Sequence, residues 1–309
     1  VSIRRHIRSN PELSFQENKT SEFVESKLKE FGIKNIKRVG ITGLTAEIKG
    51  SKSGNKMLAL RADLDALPIH ELNKKVYTSI NPGVMHACGH DVHTTSLLGA
   101  ANILNQIKDS LNGTVRLIFQ PGEEKLPGGA SLLIKEGVLK NPKPNAIVGQ
   151  HVTNEIEAGK VGFRSGLYMA STDEIYITIK GKGGHGAMPH QNIDPVLIAS
   201  HLVVALQQVS SRWSKPQMPT VLSFGKIEGK GATNVIPDVV TLEGTFRTFD
   251  EVWRAMAHKK MKELAKNLVE SMGGKVDFDI RIGYPFLKND VELTGKLEEY
   301  ASAYLGKQN

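Results

Sequence analysis

Three short apolar runs in this chain each end in residues that bind metals or move protons. Met57–Ala62 runs directly into Asp63 and Asp65, Val115–Phe119 leads to Glu123-Glu124, and Ala146–Val148 leads to His151. Helical patterns separate them. Thr94–Lys108 carries Leu97, Leu98, Ala101 and Leu104 at helical spacing, and Gly129–Glu136 makes a shorter helix. Strands alternating with helices predict an α/β sheet covered on both faces. Ligands of such sheets gather beyond the carboxyl ends of the strands, so these polar groups can converge although they lie far apart in sequence.

A fourth segment sharpens the chemistry. Met85-His86-Ala87-Cys88-Gly89-His90-Asp91-Val92-His93 holds the only cysteine, three histidines and an aspartate. Glycine between Cys88 and His90 permits the tight backbone that lets a thiolate and an imidazole bend toward one point. Cys88, His90, Glu124 and His151 together would make a hydrolytic metal site, with Glu123 left as general base. His86 and His93 suit loop-ordering roles beside it, because metal-bound imidazoles need partners to fix their orientation.

With 309 residues, two domains are expected. The 39% hydrophobic and 23% charged content is that of a soluble globular protein, and no apolar run approaches a membrane span. The start, Val1-Ser2-Ile3-Arg4-Arg5, carries no signal peptide and reads as trimmed. A single cysteine excludes an internal disulfide and suits a reducing compartment, so a cytoplasmic location is expected. The net charge of +8 raises nucleic acid as a partner, but the basic residues are dispersed and not interleaved with aromatics. Neither nucleic acid nor membrane is expected to bind. Gly181-Lys182-Gly183-Gly184 lacks the lysine-serine/threonine ending of a phosphate loop.

The N-terminal segment is a helix with Phe23, Val24, Leu28 and Phe31 on one face and Gly32 as its stop, followed by strands at 43–48 and 56–62. From about Met169 the texture changes. Strand 174–180 alternates through Ile175, Ile177 and Ile179, then come helix 195–209, strands 220–226 and 239–247, helix 251–272 and strand 275–281. The order β-α-β-β-α-β is that of a ferredoxin-like unit. Tyr284-Pro285 and a helix at 291–305 read as a return to the first domain. The expected domains are therefore 1–168 with 283–309, discontinuous, and an inserted 169–282.

Arg61-Ala62-Asp63-Leu64-Asp65-Ala66-Leu67-Pro68, the Met85–His93 segment, Phe119-Gln120-Pro121-Gly122-Glu123-Glu124, Gly183-Gly184-His185-Gly186-Ala187-Met188-Pro189-His190 and Thr233-Asn234-Val235-Ile236-Pro237-Asp238 resemble the M20 metallopeptidases. The branch most alike is that of aminoacylases, hippurate hydrolases and auxin-conjugate amidohydrolases. The resemblance implies a zinc-exopeptidase-like α/β catalytic domain, with an inserted ferredoxin-like α+β lid through which subunits form a homodimer. It implies two divalent metal ions per subunit, Zn, Mn, Co or Ni. By motif position Cys88, His90, Glu124 and His151 fall on metal ligands and Glu123 on the general base. Asp65 falls on the carboxylate that orients a ligand. His185 matches a catalytic lid histidine that reaches the substrate in the partner subunit's site, and Asn234 and Arg247 match lid residues that bind the substrate's carbonyl or carboxylate.

Two departures accompany the resemblance. Most M20 relatives place a histidine where this chain has Asp63 and an aspartate where it has Cys88, a swap that this branch shares and that leaves the role of Asp63 open. Relatives also continue past Asn309 to a last metal-binding histidine, so a C-terminal segment is expected to be missing. The expected activity is hydrolysis of the amide bond of N-acyl amino acids. The alternatives are a metallo-carboxypeptidase or dipeptidase acting on short peptides, and a non-catalytic metal-binding remnant.

Overall fold

Burial of regularly spaced apolar residues explains the main elements in the N-terminal half. The computed structural model describes residues 1–309, which divide into two compact units, Val1–Ala158 and Gly159–Asn309. The first contains α1 (Ser2–Ser9), α2 (Asn18–Glu30), β1 (Ile36–Val39), β2 (Gly43–Lys49), β3 (Lys52–Asp63), α3 (His90–Gln106), β4 (Asn112–Gln120), α4 (Gly129–Lys135) and β5 (Ala146–Gly149). Val24 and Leu28, one turn apart on α2, are fully buried, and so are Leu98 and Ala101 on α3. They pack with Leu44, Ala46, Leu117 and Phe119 on one face of the sheet. The opposite face carries a smaller cluster of Ala59, Ile118, Leu133 and Val138, with α4 against β4.

The five strands run in the order β1-β2-β4-β3-β5. β1–β2 and β2–β4 are antiparallel, whereas β4–β3 and β3–β5 are parallel. The three strands predicted to deliver functional residues are thus the three parallel ones, and their carboxyl ends point the same way. Register pairs Asp63 with Gln120 and Arg61 with Gly149. The loops carrying Asp65, Glu123-Glu124 and His151 therefore leave one edge of the sheet together.

Helix α3 starts at His90, four residues before the expected Thr94. His90-Asp91-Val92-His93 shows no apolar periodicity, yet three of these side chains are buried in polar contacts. The pattern that finds a helix from its apolar face is blind to such a turn.

The second unit contains β6 (Gly166–Met169), β7 (Asp173–Lys180), β8 (Gly184–His185), α5 (Pro195–Leu206), β9 (Thr220–Glu228), β10 (Val235–Ile236), β11 (Val239–Thr248), α6 (Glu251–Ser271), β12 (Lys275–Ile282), β13 (Leu287–Asn289) and α7 (Val291–Leu305). Its four-stranded antiparallel sheet has the order β12-β7-β11-β9. With α5 after β7 and α6 after β11, that is the ferredoxin-like arrangement expected for the insertion. Ile175, Ile177 and Ile179 of β7 alternate onto one face and are buried against Leu202 of α5 and Met261 and Ala265 of α6. β8 pairs with β10, and β6 with β13. No helix of the chain is long and apolar enough to cross a membrane.

Candidate metal centre

The loops at the carboxyl ends of β3, β4 and β5 meet the first turn of α3. Gly89 makes this possible: it holds a left-handed φ of +95° just before His90. A Cβ there would stand 2.3 Å from Val152 Cγ2. A side chain is excluded both by conformation and by the close approach of the loop after β5. Gly122 is a second such position, with φ +53° and the Phe15 ring 2.4 Å from where its Cβ would be.

His90 is 1% exposed, and its Nδ1 lies 2.9 Å from the main-chain oxygen of Asp65 and 3.2 Å from that residue's Oδ1. A carbonyl oxygen only accepts, so Nδ1 carries the proton and Nε2 is the nitrogen that faces the site. The same reasoning applies to His151. Its Nδ1–H donates to the Val152 carbonyl at 2.7 Å, leaving Nε2 3.3 Å from Cys88 Sγ. Around His90 Nε2 stand Asp63 Oδ2 at 3.7 Å, Glu124 Oε1 at 3.8 Å and Glu123 Oε2 at 3.9 Å.

Two of these atoms test whether a metal fits. His90 Nε2 and Glu124 Oε1 are both buried and neither has a hydrogen-bond partner. Burying an unpaired donor or acceptor costs about 1–3 kcal/mol, which a cation between them would remove. The donors of Cys88, His90 and His151 lie within 4.8 Å of one another, as do those of His90, Glu123 and Glu124. Metal–ligand bonds of about 2.0–2.3 Å let two donors on one ion lie up to roughly 4.6 Å apart. The thiolate, imidazole and carboxylate set therefore suits a divalent transition metal.

The electrostatics agree with ligand and base chemistry. Contacts with His151 and then His90 hold the Cys88 thiol below its ordinary pKa. The Cys88 hydrogen bond raises His151 to about 9 against the opposing effect of burial. Burial works against a charge on His90, yet the hydrogen bond to Asp65, the neighbouring Cys88 sulfur and the nearby carboxylates outweigh it and raise it to about 11. Burial, reinforced by the charge of Glu124, pushes the Glu123 carboxyl up.

Asp65 is buried and held from two sides besides His90. Ser14 Oγ donates to its Oδ2 at 2.6 Å and the Glu124 backbone N–H at 3.0 Å. Burial opposes its charge, but these donors keep its carboxyl low. One carboxylate thus fixes the ring of His90 and the backbone of Glu124 together. Sequence reasoning did not reach Ser14, nor Glu17, which is fully buried and accepts the Gly122 N–H at 2.7 Å. Both lie far from their partners along the chain, with no local signal to link them.

The remaining candidates lie in the second unit. Register in the β8–β10 ladder sets His185 opposite Val235, and the Gly186 N–H donates to the Asn234 carbonyl at 2.8 Å. His185 Nδ1 accepts from the Ala187 N–H at 3.0 Å, so the ring proton sits on Nε2. His185 and Asn234 are therefore brought together and are exposed. Arg247, near the end of β11, is also exposed.

The profile of peptidase family M20/M25/M40 matches residues 59–309. An N-acyl-L-amino acid amidohydrolase of Geobacillus stearothermophilus is 43% identical over 284 residues, which is 92% of this chain and 76% of that protein. An N-acetyl-L-cysteine deacetylase of Bacillus subtilis is 42% identical over 97% of this chain and 71% of its own length. Among solved structures, a dinuclear metal binding peptidase of the M20 family from Bacillus subtilis superposes with a TM-score of 0.81 at 36% identity, covering 98% of this chain and 78% of that one.

Proposed function

This chain belongs to peptidase family M20/M25/M40, and we propose that it hydrolyses the amide bond of N-acyl amino acids with Glu123 as general base. The observation that carries this reading is the pair of buried, unpartnered atoms, His90 Nε2 and Glu124 Oε1, beside Cys88, His151 and a carboxyl of raised pKa. Cys88, His90, Glu124 and His151 would hold two divalent ions, with Zn, Mn, Co and Ni all compatible with this mixture of donors. Bound there, such ions supply Lewis acidity toward the amide carbonyl and lower the pKa of water from about 15.7 toward roughly 7.

The chain's own groups account for the rest. Glu123 takes a proton from the attacking water as the new C–O bond forms to the amide carbon, and then gives it to the nitrogen as the C–N bond of the resulting tetrahedral adduct breaks. Its raised pKa suits both halves of that transfer, since a base poised nearer neutrality is also an acid. Asp65 holds His90 and the Glu124 backbone in place. His185 is the third catalytic candidate, an imidazole able to reach the substrate, while Asn234 and Arg247 are the substrate-binding candidates: an amide and a guanidinium suit the carbonyl and carboxylate of an N-acyl amino acid.

Residues 1–168 with 283–309 are proposed as the catalytic domain and 169–282 as the lid. In support, β6 and β13 pair with each other and not with the lid sheet, although both fall within the second compact unit. A homodimer through the lid is part of the same reading, and a lone thiol fits a cytoplasmic setting.

The division of labour between the two glutamates is the test. Glu123→Gln should keep metal by elemental analysis and lose turnover of N-acetyl or N-benzoyl amino acids by about 10²–10⁴-fold. Glu124→Gln should lose metal as well. The reverse pattern would reassign the pair, and a preference for dipeptides over N-acyl amino acids would move the substrate class to short peptides.

A further inference from the structure

The surroundings of Asp63 give it a definite task. It is 1% exposed and both carboxylate oxygens are engaged. Oδ2 accepts from Arg61 Nη1 at 2.7 Å and Oδ1 from His93 Nδ1 at 2.7 Å. Thr94 Oγ1 donates to its main-chain oxygen at 2.6 Å, which fixes the backbone as well. His93 is equally committed. Its Nε2 accepts the Val152 N–H at 2.9 Å, so that nitrogen is bare and the ring proton sits on Nδ1, facing Asp63. With both nitrogens engaged, His93 has no lone pair left for a cation. Asp63, His93 and Val152 form one chain of hydrogen bonds from the end of β3, through the first turn of α3, to the residue after His151.

Val152 is also where two metal-site loops touch. Its Cγ2 occupies the space beside Gly89, between Cys88 and His90, and its carbonyl accepts from His151 Nδ1 at 2.7 Å. The place of His151 Nε2, 3.3 Å from Cys88 Sγ, therefore depends on where the Val152 backbone is held. His93 does the holding.

We propose that Asp63 and His93 are positioning residues and not ligands. They lock the His151 loop onto the Cys88-Gly89-His90 turn, and so set the affinity and geometry of the ion held by Cys88, His90 and His151. This rests on the metal-centre reading above. Outer groups that orient metal ligands are worth about 10–100-fold in metal affinity.

The test uses Co²⁺ alone, titrated into the chelator-stripped full chain. A thiolate-to-cobalt absorption band reports Cys88, and the d–d bands report coordination geometry. His93→Asn keeps a donor where Nδ1 stood but cannot reach Val152, and should bind Co²⁺ about 10–100-fold more weakly with altered d–d bands. His93→Gln places an acceptor near the former Nε2 and should recover most of that loss. Asp63→Asn must turn its NH₂ toward either Arg61 or His93, both donors, and should behave like His93→Asn. A role confined to stability would lower the unfolding midpoint of the metal-free variants and leave Co²⁺ affinity and bands unchanged. That result in folded His93→Asn overturns the proposal. So does a change of bands in Asp63→Asn with none in His93→Asn, which would make Asp63 a ligand. Cys88→Ala separates the two readings. If it keeps the parent's Co²⁺ affinity and band, the metal-centre reading fails; if it loses both while His93→Asn loses neither, only the relay fails.

Discussion

Gly89 shows how much of the site depends on backbone that only one residue type can supply. At φ +95°, with Val152 Cγ2 2.3 Å from a would-be Cβ, it meets two separate obstacles to substitution. Gly89→Ala should lose about 1–2 kcal/mol from the backbone conformation alone, plus whatever the displaced Val152 costs. Adding Val152→Ala removes the steric obstacle and leaves the conformational one, so the double variant should be more stable than Gly89→Ala yet less stable than Val152→Ala. Urea unfolding of the four proteins checks this. If the double variant were no more stable than Gly89→Ala, Val152 would not be the obstacle. At this same scale the sequence was most readable: Glu123, Glu124 and His151 announce themselves by type and by their place after strands, and Cys88 and His90 by their spacing about a glycine. Ser14, Glu17 and the His93–Val152 contact do not. Each joins residues 51, 105 or 59 positions apart, and no local pattern encodes such a meeting.

Among the elements, β7 and α6 are joined by an ion cluster that carries a pH signature. Asp173, at the start of β7, accepts from Arg254 Nε at 2.9 Å and Nη2 at 2.6 Å, and lies 2.7 Å from His258 Nε2. Arg254 and His258 are one turn apart on α6. Arg254 Nη2 also reaches the carbonyls of Thr172 and Gly283 at 3.1 Å, tying together the two strands that lead into and out of the lid sheet. Burial opposes the charge of Asp173, but His258 and Arg254 prevail and lower its pKa from 3.8 to about 2. The folded-state pKa is depressed, so its stabilisation is fully present above the unfolded value and is lost as pH falls from about 4 through about 2. Asp173→Asn leaves a buried guanidinium short of a counter-charge and should cost about 3–5 kcal/mol at pH 7. That deficit should shrink steadily below pH 4. A deficit equal at pH 7 and pH 2.5 would place the stabilisation elsewhere. This cluster is not legible in the sequence, because i, i+4 spacing does not say what the helix packs on. The elements themselves were largely legible, since Ile175, Ile177 and Ile179 alternate and Val24 and Leu28 repeat. Several of the misses share one cause. α1 buries only Ile7, β6 and β13 are short strands with little buried apolar surface, and the first turn of α3 is polar, so none has an apolar face to read.

At the level of the molecule, each unit has its own apolar core, and their chemistry divides: metal donors in the first, exposed catalytic and substrate-binding candidates in the second. β9 and β12 are edges of the lid sheet, and β9 exposes Val221 and Ile227 at 47% and 58%. An open edge pairs readily with its own copy across a two-fold axis. If subunits join this way and His185 serves the partner's site, mixing inactive His185→Ala with inactive Glu123→Gln should restore part of the activity through hybrid dimers. No recovery despite demonstrated subunit exchange would count against a shared site. Everything proposed about catalysis stands on the donors around His90 Nε2 holding a cation. Elemental analysis of the purified parent and of Cys88→Ala, each loaded with Zn²⁺ and passed through a desalting column, asks that question directly. The expected result is stoichiometric metal retained by the parent and lost from Cys88→Ala. Equal metal content in the two proteins, or a parent that retains none, would contradict a metal centre at this site.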